Sequence, residues 1–110
     1  MYAILKQWRC KMEKIDQRIS EIKIELQNLG DLRPGNITRQ YRKPKEKEGA
    51  FYQISYTHKM RSKSDYVGKG FVNEMKKQTN EYRKMKALIE EWVELGIKKS
   101  KILMKTKLKN

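Results

Sequence analysis

The sequence predicts an α+β fold in which a long helix, a three-stranded antiparallel sheet and a second long helix follow one another. Apolar residues recur every three or four positions near both ends of the chain, which is typical of amphipathic helices, and alternate with polar residues in the middle, which is typical of strands. We expect the two helices to pack antiparallel as a helical hairpin. The predicted domain covers 1–96, with a helix over 3–29, the sheet within 35–68, a helix over 70–95 and a basic tail at 97–110.

The first helix is predicted by an apolar seam whose spacings alternate between three and four. Its members are Leu5, Trp8, Met12, Ile15, Ile19, Ile22, Leu26 and Leu29. This is a heptad pattern, and it indicates a coiled-coil-like helix face. Gly30 is placed to end the helix in a left-handed C-terminal cap. Met12 is an alternative start to Met1.

Three strands are predicted after a turn at Arg33-Pro34-Gly35. The first covers 35–43, and a charged loop at 42–49 separates it from the second, which covers 51–57. Tyr52, Ile54 and Tyr56 share one side of the second strand. A turn at 58–60 leads to a third, more polar strand at 61–67, which we expect at an edge of the sheet.

The second helix repeats the heptad spacing. Its seam consists of Phe71, Met75, Gln78, Tyr82, Met85, Ile89 and Trp92, with Leu88, Val93 and Leu95 beside it. Gly96 is placed to end this helix. The tail that follows is either a disordered arm or a short induced helix.

Two stretches, 32–43 and 49–95, resemble a family of short prokaryotic proteins built on a domain of unknown function and often encoded near mobile-element genes. The likeness rests on four motifs: Leu32-Arg33-Pro34-Gly35, Gly49-Ala50-Phe51-Tyr52-Gln53-Ile54-Ser55, Tyr66-Val67 and Asn80-Glu81-Tyr82. The resemblance implies the order helix, sheet, helix and supplies no activity. Many members carry a cysteine cluster between the first two strands. Because this chain has no cysteine there, a metal role is not carried over.

The positive charge is concentrated in two segments. Residues 1–31 carry six Lys/Arg and five Asp/Glu, and residues 71–95 carry five of each. Residues 32–70 carry ten and three, and residues 96–110 carry six and none. Of the net charge of +14, +7 lies in 32–70 and +6 in 96–110, a distribution that favours binding to a polyanion.

Catalytic and metal-binding patterns are missing from the sequence. His58 is the single histidine and Cys10 the single cysteine, and neither has a partner for nucleophilic catalysis. No phosphate-binding Gly-rich loop is present. We therefore expect no enzymatic activity, no cofactor and no metal. The lone cysteine and the lack of a long apolar run predict a cytoplasmic protein that does not enter a membrane.

The function predicted from this pattern is nucleic-acid binding, to DNA or RNA, in a mobile-element or phage context. The predicted contacts are basic residues on the strands and at their ends: Arg39, Arg42, Lys43, Lys59, Arg61, Lys63 and Lys69. Tyr52 and Tyr56 either stack on unpaired bases or pack against the helices. The Lys-rich tail would add phosphate contacts.

Two other hypotheses about function are compatible with the same residues. A small basic adaptor or inhibitor would dock on an acidic protein or a ribonucleoprotein, since an acidic surface attracts lysine as a phosphate does. A structural coiled-coil dimer would account for the heptads but leaves the basic sheet unexplained. The thin core that this composition allows also favours a homodimer.

Overall fold

The computed structural model describes residues 2–108, and the side chains of residues 9–106. Helix α1 (Tyr2–Gln27) precedes strands β1 (Asn36–Lys43), β2 (Glu48–His58) and β3 (Arg61–Val67). A short 3-10 turn (Lys69–Phe71) then leads into helix α2 (Val72–Leu108). The predicted α+β fold is confirmed. The chain divides into two compact units: a helical unit formed by 1–29 and 85–110, and a sheet unit formed by 30–84.

The apolar seam of α1 is confirmed from Met12 onwards. Ile15 and Ile22 are buried, and the other seam residues from Met12 to Leu29 are half-buried. The side chains of Leu5 and Trp8 lie outside the described residues. Most charged positions between the seam residues face solvent, as in an amphipathic helix, whereas Arg18 and Glu25 are half-buried.

The end of α1 differs from the predicted cap. The last turn closes with tight bonds, in which the Asn28 amide donates to the carbonyls of Ile24 and Glu25 and the Leu29 amide donates to that of Leu26. Gly30 does not have a positive φ, so the predicted left-handed cap is wrong. The 3-10 bonds already satisfy the terminal carbonyls, and the chain needs no glycine-specific conformation there.

Helix α2 continues well beyond its predicted end. It runs through Gly96 and includes the tail to Leu108. Glycine costs about 1 kcal/mol relative to alanine inside a helix, which is too little to end a helix that has other support. Here Lys99 contacts Asp16 of α1 at 2.6 Å and Ser100 donates to the Gly96 carbonyl. The tail is therefore helical as far as the described residues extend.

The buried residues of α2 lie beside the predicted seam rather than in it. Val72, Thr79 and Leu88 are the buried residues, whereas the predicted members Phe71 and Ile89 are exposed. Thr79 can be buried because its hydroxyl donates to the Lys76 carbonyl at 3.0 Å and so needs no other partner. Met75, Tyr82, Met85 and Trp92 are half-buried, as predicted.

Side chains link α1 to α2 within the helical unit. The Arg18 guanidinium donates to both carboxylate oxygens of Glu91, and the Lys23 ammonium lies 5.4 Å from the centre of the Trp92 ring. The hydrogen bond from Arg18 holds the pKa of Glu91 below its usual range. Close packing of the two helices as an antiparallel hairpin stays a prediction.

The sheet has the order β1-β2-β3 and is antiparallel throughout. Ile37 of β1 pairs with Ile54 of β2, which in turn pairs with Asp65 of β3. The second strand is therefore central, and β3 lies at an edge as predicted. Lys59 and Met60 both have a positive φ and form a two-residue hairpin turn without the usual Asn-Gly sequence.

The core of the sheet unit lies on one side of the sheet. Ile54, Val67 and Val72 are buried together, and Ile37, Tyr52 and Met75 pack against them. The side of the sheet that carries Ile54 is the core face. Because side chains alternate along a strand, the neighbours of Ile54 belong to the opposite, outer face.

Two glycines should respond oppositely to a methyl group. Gly96→Ala should raise the free energy of unfolding by about 0.5 to 1 kcal/mol, because the site is helical and nothing lies within 4 Å of the added Cβ. Gly35→Ala should destabilise, since φ is +131° and the Cβ would lie 2.8 Å from the Ser55 carbonyl oxygen. Thermal unfolding measures both, with Gly30→Ala as the control. A lower melting temperature for Gly96→Ala would contradict the continuous helix.

Because of the Arg18–Glu91 contact, the free energy of unfolding should depend on pH in the acidic range. A depressed folded-state pKa contributes stability above the unfolded value of about 4.3, and that stability is lost as pH falls through the folded pKa. Glu91→Gln should therefore lower the melting temperature at neutral pH, and its difference from wild type should shrink below about pH 4. The effect should be small, because both side chains are more than one third exposed. The exposed Glu94→Gln is the matched control; an equal change there would refute the assignment.

Candidate nucleic-acid interface

The basic residues predicted to bind nucleic acid do not form one patch. By strand alternation, Arg39, Lys43, Arg61 and Lys63 lie on the core face, whereas Arg42 lies on the outer face. Lys59 is in the β2–β3 turn and Lys69 is in the 3-10 turn. The sequence grouped these residues by proximity along the chain, and the pleat of the sheet separates them.

The register also places these cations at different positions along the strands. Lys43 is opposite Glu48 at one end of β2, and Arg61 is opposite His58 at the other. These ends are ten residues apart along β2, which is on the order of 33 Å. Arg39 lies between them, opposite Tyr52. The structure thus gives two cationic ends flanking the buried Ile54 rather than a continuous basic surface.

Most of these cations have no carboxylate partner among the described side chains. Lys43 reaches Glu48 at the limit of an ion pair, 4.0 Å, and Arg39 lies 5.5 Å from the centre of the Tyr41 ring. The remaining five, Arg42, Lys59, Arg61, Lys63 and Lys69, are exposed and form no ion pair with a described carboxylate. Their charge is available to an external anion.

Arg33 serves the fold rather than the surface. Its guanidinium contacts Asp65 at 2.5 Å and lies 5.0 Å from the Tyr56 ring centre, and its amide donates to the Gln78 carbonyl. Arg33 therefore ties the segment before β1 to β2, β3 and α2. Arg83 adds a second tie by donating to Asn36 at 2.7 Å. Neither cation stood apart from the others in the sequence.

The tyrosines considered for base stacking are used within the sheet unit. Tyr52 packs against the core and Tyr56 lies beneath Arg33. Both belong to the core face, which is the packing alternative that the sequence left open. Among the tyrosines whose side chains are described, Tyr66 is the exposed one, and it forms a stacked pair with Phe51 on the outer face.

A second cationic surface lies in the helical unit and was missed in part. Exposed lysines from α1 and α2 surround an open cleft of about 430 Å³ whose floor is formed by Ile15 and Ile102. The lysines are Lys11, Lys14, Lys98, Lys101 and Lys105, and we call this surface the lysine groove. The charge count showed the basic tail, but α1 is nearly neutral overall. The spacing of Lys11 and Lys14 on one helix face was the available signal.

Other chemistry finds no support in the described part of the chain. No three acidic, histidine or cysteine side chains are grouped there as metal ligands would be. Cys10 is exposed with a free thiol, and His58 is exposed at the end of β2. Of the described helices, none combines the length and apolar character needed to cross a bilayer.

Comparison with known proteins identifies the family. Searches of curated proteins and of solved structures found no match. A family model described as a domain of unknown function, DUF6788, matches residues 12–77, which include most of α1, all three strands and the start of α2. Since the matched segment is more than half of the chain, this protein belongs to the DUF6788 family.

Proposed function

We propose that this protein binds nucleic acid without catalysing a reaction, with DNA as the expected partner. The observation that carries the proposal is that five of the seven predicted cations are exposed and form no ion pair with a described carboxylate and no ring contact. Phosphates are the anions that such dispersed cations would neutralise along an extended polymer. The proposed setting is the cytoplasm of a prokaryotic cell, in a mobile-element or phage context.

The lysine groove supports the same function. Its five lysines have no carboxylate among the groove residues, whereas Lys99 on the same helix is paired with Asp16. Paired and unpaired lysines thus lie on different sides of α2. The groove supplies a further set of phosphate contacts, in the role predicted for the tail.

Removing the sheet cations should weaken binding to DNA of every sequence. If about five phosphates are neutralised, log K for duplex DNA should fall with log salt at a slope of about −4 to −5. The variant Arg39→Thr/Arg42→Thr/Arg61→Thr/Lys63→Thr should bind more weakly and with a flatter slope, because fewer counterions are released. Fluorescence anisotropy across a salt series measures both quantities.

Matched variants identify the surface. Lys98→Gln/Lys101→Gln/Lys105→Gln tests the lysine groove, and Lys76→Gln/Lys77→Gln/Lys84→Gln removes the same charge from exposed positions of α2 within the sheet unit. The second triple variant should bind nearly as wild type. If both triple variants and the sheet variant lost affinity equally, net charge alone would govern binding. If wild type bound neither DNA nor RNA, the proposal would fail.

The alternative is an adaptor or inhibitor that docks on an acidic protein or a ribonucleoprotein. One observation favours it: the floor of the lysine groove is apolar, with Ile15 and Ile102 between the lysines. A phosphate backbone has no use for an apolar floor, whereas an acidic amphipathic helix would fill it. If the groove variant retained DNA binding, the lysine groove would be assigned to a protein partner instead.

We also propose that a second copy of the chain packs on α2. Exposed apolar residues fall on one face of the helix: Ile89, Val93, Ile97, Leu103 and Met104. Glu90 and Glu94 precede Gly96, and Lys98 and Lys101 follow it. An antiparallel two-fold pairing would set the acidic half of each helix against the basic half of the other.

The pairing predicts a dimer that dissociates when charged side chains are introduced on the exposed apolar face of α2. Val93→Glu/Ile97→Glu should shift the protein from dimer to monomer, because it buries carboxylates in the apolar stripe. Sedimentation velocity at micromolar concentration measures the change. Ala87→Glu, an exposed position on another face of α2, is the control and should leave the dimer intact. A wild-type monomer at these concentrations would refute the pairing.

A further inference from the structure

The outer face of the sheet is an exposed polar surface with one aromatic pair. Its residues alternate with the core residues of each strand: Thr38, Gln40 and Arg42 on β1; Phe51, Gln53, Ser55 and Thr57 on β2; Ser62, Ser64 and Tyr66 on β3. None of these residues carries a negative charge. Among the described strand positions, Arg42 is the single charged residue on this face.

The aromatic pair is positioned for stacking. The ring centres of Phe51 and Tyr66 lie 6.4 Å apart with an angle of 30° between the ring planes, and Tyr66 is 67% exposed. An aromatic side chain this exposed loses stabilisation that burial would provide. Two nearly parallel rings on adjacent strands offer flat apolar surface to planar ligands.

Two amides flank the aromatic pair. Gln40 of β1 is directly opposite Phe51, and Gln53 of β2 is directly opposite Tyr66. Each ring therefore has a glutamine beside it in the same row, at about 5 Å between Cβ atoms. An amide both donates and accepts hydrogen bonds, and it suits the edge of a nucleobase held on the neighbouring ring.

A strip of hydroxyl groups continues from the aromatic pair along the sheet. Ser55 and Ser64 face each other with 3.3 Å between their oxygens, and Thr57 is opposite Ser62. An open cavity of about 470 Å³ adjoins this strip at the end of the sheet, where its lining also includes Lys63 and Tyr56 of the core face. From Phe51 to Thr57 the strip extends on the order of 20 Å. Hydroxyls and a terminal cation are groups that hydrogen-bond sugar and phosphate oxygens.

A single strand fits these groups better than a duplex or a second copy of the protein. In a duplex every base face is already stacked, so the two rings would have no surface to contact. A second copy would bury a face made mostly of hydroxyls and amides, which is more polar than the centre of a stable homodimer interface.

We infer that the outer face of the sheet binds single-stranded nucleic acid, with Phe51 and Tyr66 stacking on successive bases and Gln40 and Gln53 bonding to their edges. This inference rests on the proposed function and specifies its ligand. Arg42 on this face and Lys59 in the β2–β3 turn would then contact phosphates on either side of the stacked bases.

Replacing the two rings should weaken single-strand binding at every salt concentration. The probe is a fluorescein-labelled oligothymidine of about 12 nucleotides, within the range of known single-strand sites. Phe51→Thr/Tyr66→Thr should lose affinity by tenfold or more while keeping the wild-type salt slope, because stacking releases no counterions. Threonine preserves strand propensity. Tyr66→Phe should retain affinity, since the ring remains.

The matched control removes an aromatic residue from the other face. Tyr41→Thr, on the core face of β1, should leave oligothymidine binding unchanged. A hairpin duplex of the same length should bind Phe51→Thr/Tyr66→Thr and wild type equally. Circular dichroism and a thermal melt establish that each variant is folded; if the double variant is not, Tyr66→Thr alone tests the exposed ring.

The outcomes separate this inference from the proposed function. Unchanged oligothymidine binding by the folded variant, alongside salt-dependent binding of duplex, would overturn the stacking site and leave the proposed function standing. A wild-type protein that binds no nucleic acid would overturn both. A concentration-dependent dimer that dissociates with Tyr66→Thr would overturn the inference in favour of a second copy on this face.

Discussion

The burial of Ile54 is the constraint on which the sheet unit depends. Ile54 is 1% exposed, occupies the middle of the central strand and packs with Val67 and Val72. Because strand side chains alternate, fixing Ile54 on the core face fixes the face of every other strand residue, and a slip of one position would reverse them all. The position of Phe51, Gln53 and Ser55 on the outer face therefore follows from the same contact that holds the sheet to α2.

Some cations of the sheet unit bond to other residues of the fold, whereas others are exposed and have no carboxylate partner among the described side chains. Arg33 and Arg83 bond to Asp65, to the Gln78 carbonyl and to Asn36 at the start of β1, so their guanidinium groups are engaged within the sheet unit. The buried Nε of Arg33 has no hydrogen-bond partner among the described atoms, a cost that the contacts of its other atoms offset. A basic composition alone does not reveal this division.

The sequence predicts the elements well, because helix and strand periods differ and both are regular here. It predicts side-chain placement less well where two interpretations differ by one position. Leu88, which the sequence placed beside the seam, is buried, whereas the seam residue Ile89 is exposed, because heptad spacing alone does not decide between two neighbouring apolar residues. Gly96 was wrongly predicted to end α2, because a local helix propensity of about 1 kcal/mol is weaker than tertiary contacts such as Lys99–Asp16. The lysine groove and the Phe51–Tyr66 pair join residues distant in sequence, and only register and tertiary contacts bring them together.

On the outer face of the sheet, unlike the core face, the aromatic pair has mostly uncharged neighbours. A duplex presents phosphates outward on all sides, so a protein surface for it needs cations spread across the contact area. A single strand lying with its bases against a sheet directs its phosphates away from the rings and toward the margins. The outer face has this second arrangement, with uncharged rings, amides and hydroxyls in its middle and with Arg42 and Lys59 toward opposite ends of the strands. A cation beside Phe51 and Tyr66 would compete with the bases for the ring faces. An uncharged centre with cations toward the margins is the arrangement from which we infer that Phe51 and Tyr66 stack on bases.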